Sequence, residues 1–537
     1  MEPDPRRLTF QGPPLPPLEE LGPLTLGGFL ADAAAVNGDR EALVFDDPLR
    51  NGETVRWSYT QLLDEANRIA AALVAAGAES GARIAIRMGN RTEYVAALFG
   101  IARAGAVAVP LSTFAGGTET EAMLQLAQPR LLLTQTALAG RPLETPDGID
   151  SVSVGTHGWE HFLADGRSVG DAEVEQRVAA TSSEDVGLIL FSSGTSATPK
   201  AMVHAHRAPV LQFRFQADLF RRRTDSRVWA PLPLFWTAGL TTALGPTLAA
   251  GGTFVLQEVF DAGDALALME REAVTEPYVL PHQGAALAEH PDWEQADLSS
   301  LRETYGKSVF HRHPKVEGDP TWMPPAGYGM SETCATVIAH RWDTPREVIA
   351  ASTGKLLPGM QLRIVDPESG QPLEQGLTGE LALAGPMMML GYVGKDPAET
   401  FDAEGFLRTG DAGYVDDEGA IHWTGRLTEM IKTAGANVAP AELELELRTC
   451  PDVRRCRVVG LPDERLGEVV TLCAELVDGS EATGEDLRQF LAERVASYKV
   501  PREVVLFAEG ELPTTASGAK VRDDELISRA AERLGRT

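Results

Sequence analysis

The first long apolar stripe in the chain begins beside a cap. Ser58-Tyr59-Thr60-Gln61 has the spacing of a capping box, in which serine and a glutamine three residues on satisfy each other's backbone N–H groups. Leu62, Ala66, Ile69, Ala70 and Leu73 then recur at the interval of one helix face, and Gly77 closes the element. A short apolar run follows at 83–86, a second helical stretch at 91–104 ends on Gly105, and 106–110 reads as a buried strand. Strand, helix and strand in that order predict a parallel crossover, hence an α/β domain with a doubly wound sheet. Residues 1–25 are proline-rich, carry no such period, and are expected to lie over the surface as an irregular arm.

The alternation runs to about residue 426. Beyond it, 441–447 and 485–496 read as helices and 456–459 and 469–476 as strands, enough for a small α+β domain. The expected organisation is a large N-terminal domain over 1–426 and a small mobile C-terminal domain over 427–537, with Gly425-Arg426-Leu427-Thr428 as the candidate hinge. No internal repeats or low-complexity tracts appear.

Of the 537 residues, 43% are hydrophobic and 23% charged, which suits a globular protein with a large core. A net charge of −29 disfavours general binding to nucleic acid or anionic membranes, so any polyanion must be met by local cations and backbone N–H groups. The four cysteines (Cys334, Cys450, Cys456 and Cys473) form no CxxC pair, which argues against a disulfide framework or zinc knuckle and fits a reducing cytoplasm. The start, MEPDPRRLTF, has no apolar signal region, and no run approaches the ~18 apolar residues of a membrane span. His204/His206 and His311/His313 form two His-x-His pairs, but no further ligand is linked to either.

The richest chemistry lies in Phe191-Ser-Ser-Gly-Thr-Ser-Ala-Thr-Pro-Lys200, which follows the apolar run 186–190. Ser193, Gly194, Thr195, Ser196 and Lys200 can offer hydroxyls, backbone N–H groups and a cation to a polyphosphate. It is not a Walker A loop, since no Gly-Lys-Ser/Thr ending is present. Taken alone the segment reads first as a solvated Ser/Thr turn. It is accompanied, in order, by Gly327-Tyr-Gly-Met-Ser-Glu-Thr333, Gly379-Glu-Leu, Arg408-Thr-Gly-Asp411, Gly425-Arg426, Ile431-Lys-Thr-Ala-Gly-Ala-Asn-Val438 and Leu512-Pro-Thr-Thr-Ala-Ser-Gly518. From about Ser58 to Leu526 the chain resembles the adenylate-forming superfamily of acyl-CoA synthetases, luciferases and peptide-synthetase adenylation domains, on its acyl-CoA ligase branch.

The resemblance implies ATP, Mg²⁺ and CoA as cofactors and a small carboxylic acid, or its adenylate, as substrate. Adenylation joins a carboxylate to the α-phosphate of ATP, so fixed donors and a cation must offset the repulsion of two anions. By resemblance Thr195 and Glu332 hold the metal, Tyr328 stacks on adenine beside Gly327 and Gly329, and Ser331 keeps a hydroxyl for the α-phosphate. Asp411 takes the ribose hydroxyls, and Arg426 reaches ribose or phosphate, although each could be an ordinary salt-bridge residue. Lys432 through Asn437, with the small residues Gly435 and Ala436, resembles the loop that lines the pantetheine tunnel after the small domain rotates. A helix-capping turn would use the same residues.

Several positions depart from the family pattern. Ala197 and Ala201 stand where glycine or serine, and glycine, are usual, and alanine at a positive φ costs ~1 kcal/mol or more. Trp236 replaces the histidine of a frequent aromatic–His pair that gates the acyl pocket, so it either reshapes that pocket or is a packed core residue. Tyr305-Gly306-Lys307-Ser308 falls where relatives carry Gly-Gly-Ala-Pro, with Lys307 either a pocket cation or an exposed lysine. Thr428 replaces the usual hinge Asp or Lys.

In the tail, Ala519 takes the place of the adenylation lysine and Lys520 comes one residue later. On an extended segment that shift moves Cα by ~3.8 Å and turns the side chain to the other face, unless a bulge restores it. The leading expectation is a CoA ligase that runs both half-reactions with Lys520, Lys432 and Glu332 as catalytic groups. The alternatives are an enzyme confined to the thioester step and fed by a companion adenylating enzyme, one that loads a carrier protein, and an inactive nucleotide-binding or regulatory protein. The unusual positions point to an acid other than acetate, bulky and from specialised metabolism.

Overall fold

The computed structural model describes residues 8–192, 199–304, 308–318, 327–427, 430–433, 436–463, 465–495, 497, 499–514 and 521–536. Packing divides the chain into two compact units. One is Gln11–Gln361 with Leu383–Leu407, and the other is Leu362–Ala382 and Arg408–Thr537 with the chain start through Phe10.

In the first unit a seven-stranded sheet runs Gly391–Tyr392, Lys200–Ala205, Val186–Ser192, Val107–Pro110, Arg83–Arg87, Leu131–Gln135, Ser151–Val154. The last five strands are mutually parallel, and Lys200–Ala205 pairs antiparallel with both of its neighbours. From Arg83–Arg87 the chain first adds a strand on one side and then crosses to the other at Leu131–Gln135. This reversal makes the sheet doubly wound, as the sequence pattern predicts. The predicted helices are Tyr59–Ala75 and Thr92–Arg103. The capping box is formed, with Gln61 N donating to Ser58 Oγ at 3.2 Å and Ser58 N to Gln61 Oε1 at 2.8 Å.

A second sheet of five strands, in the order Glu276–Pro277, Arg227–Trp229, Thr253–Leu256, Glu41–Asp47, Glu53–Ser58, packs Trp229 and Val255 into a core with Leu266, Met269, Leu287 and Phe310. Gly327–Met330, Ala335–Ala339 and Lys355–Leu356 form a third, antiparallel sheet.

In the second unit one five-stranded sheet is ordered Phe10–Gln11, Gln361–Val365, Gly379–Ala384, Leu407–Val415, Ile421–Arg426. The arm at 1–25 is therefore not wholly irregular. Phe10–Gln11 serves as an edge strand and Leu18–Leu21 makes one helical turn, both too short to leave a period in sequence.

The other sheet is built on the long hairpin Val453–Asp463/Gly467–Leu476, with Glu503–Phe507 parallel on its far side. Alternation along Gly467–Leu476 assigns the two faces. Val470, Leu472 and Ala474 pack with Leu443, Leu447, Leu487 and Leu491 of the helices Pro440–Leu447 and Gly484–Ala492. Val469 and Cys473 pack with Leu526 and Ala530 of Asp523–Arg533. The helix predicted over 485–496 ends at Ala492.

One histidine of each pair is engaged by the fold. His206 Nδ1 accepts from Leu26 N at 3.3 Å, and His313 bridges the Trp293 carbonyl and Lys315 N. Among the described residues no group of three or more His, Cys, Asp or Glu is disposed to hold a metal. His204 is fully buried and neither ring nitrogen has a partner in hydrogen-bond geometry. Burial lowers its pKa to about 4, against a weaker opposing pull from the Ser331 backbone.

A histidine held neutral in the fold favours folding above its ordinary pKa of 6.5. That contribution is lost as pH falls from 6.5 toward 4, because the unfolded chain takes the proton first. Lowering pH to 5 should cost about 2 kcal/mol through this ring, and His204→Leu should remove that part of the loss. Urea midpoints of both proteins at pH 7.5 and pH 5 measure it, and an equal drop in both would exonerate His204.

Candidate functional site

In the first unit the third sheet ends in a tight turn that presents Ser331 and Glu332. Gly327–Met330 leads into the 3₁₀ turn Ser331–Thr333, which closes on Cys334 at a φ of +61°. Thr333 seals the turn by accepting from Met330 N and donating to Met330 O, both at 2.9 Å. A Cβ on Gly329 would collide with the Ala335 carbonyl, so the hairpin itself requires glycine at this position. Tyr328 is buried, whereas Glu332 is half-buried.

Buried amides support this turn. Gln212 Nε2 donates to the carbonyls of Thr333 at 3.0 Å and Thr336 at 2.9 Å. Gln216 Nε2 donates to Gln212 Oε1 at 2.9 Å and to Thr241 O at 3.0 Å, and Thr241 Oγ1 lies 2.8 Å from Cys334 O. Gln212 and Gln216, four residues apart on the helix Arg207–Leu219, thus share one inward face. Thr241 belongs to Ala238–Leu244, a π-helical stretch directly after Trp236.

Glu332 has two further anchors. Its carbonyl accepts from Met389 N at 2.7 Å, and its Oε1 accepts from the Tyr392 hydroxyl at 2.8 Å. Burial first, then the Glu332 charge, raises the Tyr392 pKa, so this hydroxyl keeps its proton and donates. Tyr392 reaches Glu332 because its short strand pairs with Lys200–Ala205 in the register Met202↔Tyr392. Lys200 stands at the start of that strand, its Nζ 5.9 Å from the Tyr392 ring centre. Ala201 lies within the strand and is not among the residues of positive φ, so alanine there carries no backbone strain.

Trp236 is half-buried in an aromatic group. Its ring lies edge-on to Phe235 at 5.9 Å and to Phe114 at 5.8 Å, and Phe114 meets Phe235 at 5.4 Å. Phe114 is 65% exposed, a large apolar ring left facing solvent beside Trp236.

In the second unit Asp411 and Arg426 stand opposite one another on antiparallel strands. Arg426 Nε meets Asp411 Oδ1 at 3.0 Å and its Nη1 donates to Thr409 O at 3.1 Å. Asp411 is buried while the arginine is 45% exposed. The Gly379-Glu-Leu motif holds the segment in place. Glu380 accepts from Gly410 N at 2.8 Å and pairs with Arg408, while Thr409 Oγ1 donates to Leu381 O. Gly410 has a φ of +73°, which suits glycine before the buried aspartate. Lys432 is exposed on the hairpin Ile431–Thr433/Ala436–Val438, and its backbone N donates to Glu468 at 2.6 Å. The backbone of Ala436 pairs with Thr433.

Residues 30–393 match the AMP-binding enzyme family and residues 442–519 the AMP-binding enzyme C-terminal domain. An indoleacetate–CoA ligase of Aromatoleum aromaticum is 34% identical over 87% of this chain and 92% of its own length. A feruloyl-CoA synthase of an Amycolatopsis species is 33% identical over 88% and 93%. The crystal structure of an anthranilate–CoA ligase in complex with anthranoyl-AMP superimposes with a TM-score of 0.75 at 26% identity, covering 96% of this chain and 99% of that one.

The chain is an AMP-binding enzyme of the acyl-CoA ligase branch. It activates a carboxylic acid as an acyl-CoA thioester through an acyl-adenylate, at the expense of ATP. Among the described residues no helix is long and apolar enough to cross a membrane.

Within this ligase the structure brings Lys200, Ser331 and Glu332 into one unit with Tyr328 and Trp236, and sets Asp411 against Arg426 in the other. Ser193, Gly194, Thr195, Ser196 and Ala197 of the phosphate loop lie outside the described residues, as do Gly306, Lys307, Thr428, Gly435, Ala519 and Lys520. Sequence reasoning passed over Gln212, Gln216, Thr241, Phe114 and Tyr392. The two glutamines had a signal, a pair of amides four apart on an otherwise apolar helix face.

Gln212→Ala should therefore destabilise the first unit by about 2–4 kcal/mol, since one buried and one partly buried carbonyl lose their donor and a buried side chain is removed. Exposed Gln125→Ala should leave stability unchanged. Thermal unfolding of the two variants compares them, and an unaltered melting temperature for Gln212→Ala would remove the amide ladder from the account.

Proposed function

We propose that this ligase activates a bulky aromatic acid and carries out both half-reactions itself. The observation that carries the substrate reading is the three-ring group of Trp236, Phe235 and exposed Phe114. A half-open aromatic wall favours a flat apolar ring by edge and face contacts. It offers little to acetate, whose affinity would have to come from its carboxylate alone. The names of the relatives, built on indoleacetate, ferulate and anthranilate, support the same class.

In this reading Asp411, paired with Arg426, accepts from the ribose hydroxyls, and Tyr328 packs against adenine. Ser331, Lys200 and the loop residues Ser193–Ser196 meet the phosphates. Glu332 is chemically suited to a hard cation, because it is a half-buried carboxylate and, among the described residues, its one side-chain partner is the neutral Tyr392 hydroxyl on Oε1. Glu332 and Thr195 would hold Mg²⁺, which when bound offsets the phosphate charge. Lys520 neutralises the carboxylate approaching the α-phosphate. Residues 427–537 then turn about Gly425–Thr428, and the small residues Gly435 and Ala436 that follow Lys432 in sequence admit the pantetheine thiol. CoA is the acceptor, and a reducing cytoplasm is its setting.

Mass spectrometry of products from ATP, CoA and a panel of acids tests the substrate class. Aryl and arylacetic acids should be turned over well ahead of acetate, and a preference for acetate would overturn the reading. Asp411→Ala should weaken binding of a non-hydrolysable acyl-adenylate analogue by about 10- to 100-fold, the worth of a buried charged hydrogen-bond partner. Unchanged calorimetric affinity would remove Asp411 from the nucleotide clamp.

The displaced tail lysine supports a second reading, the thioester step alone, fed by a companion adenylating enzyme. Single-turnover adenylation and thioester formation are compared in wild type, Lys520→Ala and the Ala519 deletion. Fast wild-type adenylation that falls by ~10² in Lys520→Ala supports a complete ligase. Slow wild-type adenylation, rescued by deleting Ala519, beside fast thioester formation from preformed adenylate, supports the companion-enzyme reading instead.

A further inference from the structure

Tyr392 belongs to none of the groups assigned above, yet it touches two of them. Its hydroxyl donates to Glu332 Oε1 at 2.8 Å, and its ring lies 5.9 Å from Lys200 Nζ and 5.4 Å from Lys395 Nζ. The same chain segment donates Met389 N to the Glu332 carbonyl at 2.7 Å. Side chain and backbone of Glu332 are thus both tied to the segment that ends at Tyr392, and that segment is itself held to Lys200–Ala205 by strand pairing. A free glutamate on a tight turn would sample several rotamers, and its carboxylate would be shared among several positions. A neutral donor on one oxygen removes that freedom without cancelling the charge, which an arginine or lysine in the same place would do.

We propose that Tyr392 is a positioning residue that fixes the Glu332 carboxylate for a divalent cation. The proposal rests on the assignment of Glu332 to the metal given above. Phenylalanine at this position keeps the ring, its packing and its contact with both lysines, and removes only the hydroxyl.

The test is calorimetric binding of a non-hydrolysable ATP analogue to the full chain, in excess Mg²⁺ and again in EDTA, for wild type, Tyr392→Phe and Glu332→Gln. Thermal melts confirm that each variant is folded. Loss of an oriented outer partner of a metal ligand is expected to lower the Mg²⁺-dependent gain in affinity about tenfold in Tyr392→Phe, while affinity in EDTA stays at the wild-type value. The larger loss is expected in Glu332→Gln.

A Tyr392→Phe protein that keeps the full Mg²⁺-dependent gain, while Glu332→Gln loses it, would overturn this proposal and leave the metal assignment standing. If both variants keep the gain, the assignment of Glu332 fails, and the positioning role fails with it. A loss in Tyr392→Phe that is equal with and without Mg²⁺ also overturns the proposal, because it would report a nucleotide contact or a packing defect rather than an oriented metal ligand.

Discussion

A carboxylate that has to serve among phosphates must be held still by groups that do not neutralise it. In the proposed site Glu332 meets that constraint, among the described residues, with uncharged partners. A backbone N–H holds its carbonyl and a phenol holds one oxygen. Its turn is sealed by Thr333 and buttressed by Gln212 and Thr241, again without a cation. Asp411 shows the opposite solution. It is buried and faces an arginine across a strand pair, so its charge is stabilised where it sits. One carboxylate is left with unspent charge and the other is clamped, and the difference follows from which neighbours each strand brings.

That selection is made by pairing between segments remote in sequence. The register Met202↔Tyr392 carries the phenol to the strand that begins with Lys200, and Asp411↔Arg426 sets guanidinium against carboxylate. The polar ladder through Gln212, Gln216 and Thr241 then joins the turn at Glu332 to the helix that follows Trp236. A change in the aromatic wall is therefore mechanically close to the turn that carries the acidic residue, through hydrogen bonds that are individually modest but largely buried.

Much of this was legible in the chain itself. The capped helix at Ser58, the crossover through Arg83–Arg87 and the two-faced strand at Gly467–Leu476 follow from period and cap, because burial on one face imposes them locally. Helix ends were less legible, as with the stretch expected to run to 496 that stops at Ala492, since a frayed end is decided by tertiary contacts rather than propensity. The motif residues Glu332, Asp411 and Arg426 could be named in advance, but not their partners. Tyr392 and Gln212 act through pairings whose sequence separation leaves no periodic trace, and Phe114 stands out only once its exposure is known.

The motifs themselves divide into chemistry and scaffold. In Gly327-Tyr-Gly-Met the second glycine is demanded by the Ala335 carbonyl of its own hairpin, and in Gly379-Glu-Leu the glutamate is occupied with Gly410 N and Arg408. A chain could keep those residues for the sake of its backbone alone, so their retention speaks for the shape of the site more than for its rate. Trp236, by contrast, is a position at which this chain departs from the family pattern, and among the described residues its ring has aromatic neighbours rather than hydrogen-bond partners. Backbone geometry holds the scaffold to the common pattern, whereas no such backbone demand fixes the ring at Trp236. On the reading proposed above, differences in substrate are therefore set at that aromatic wall.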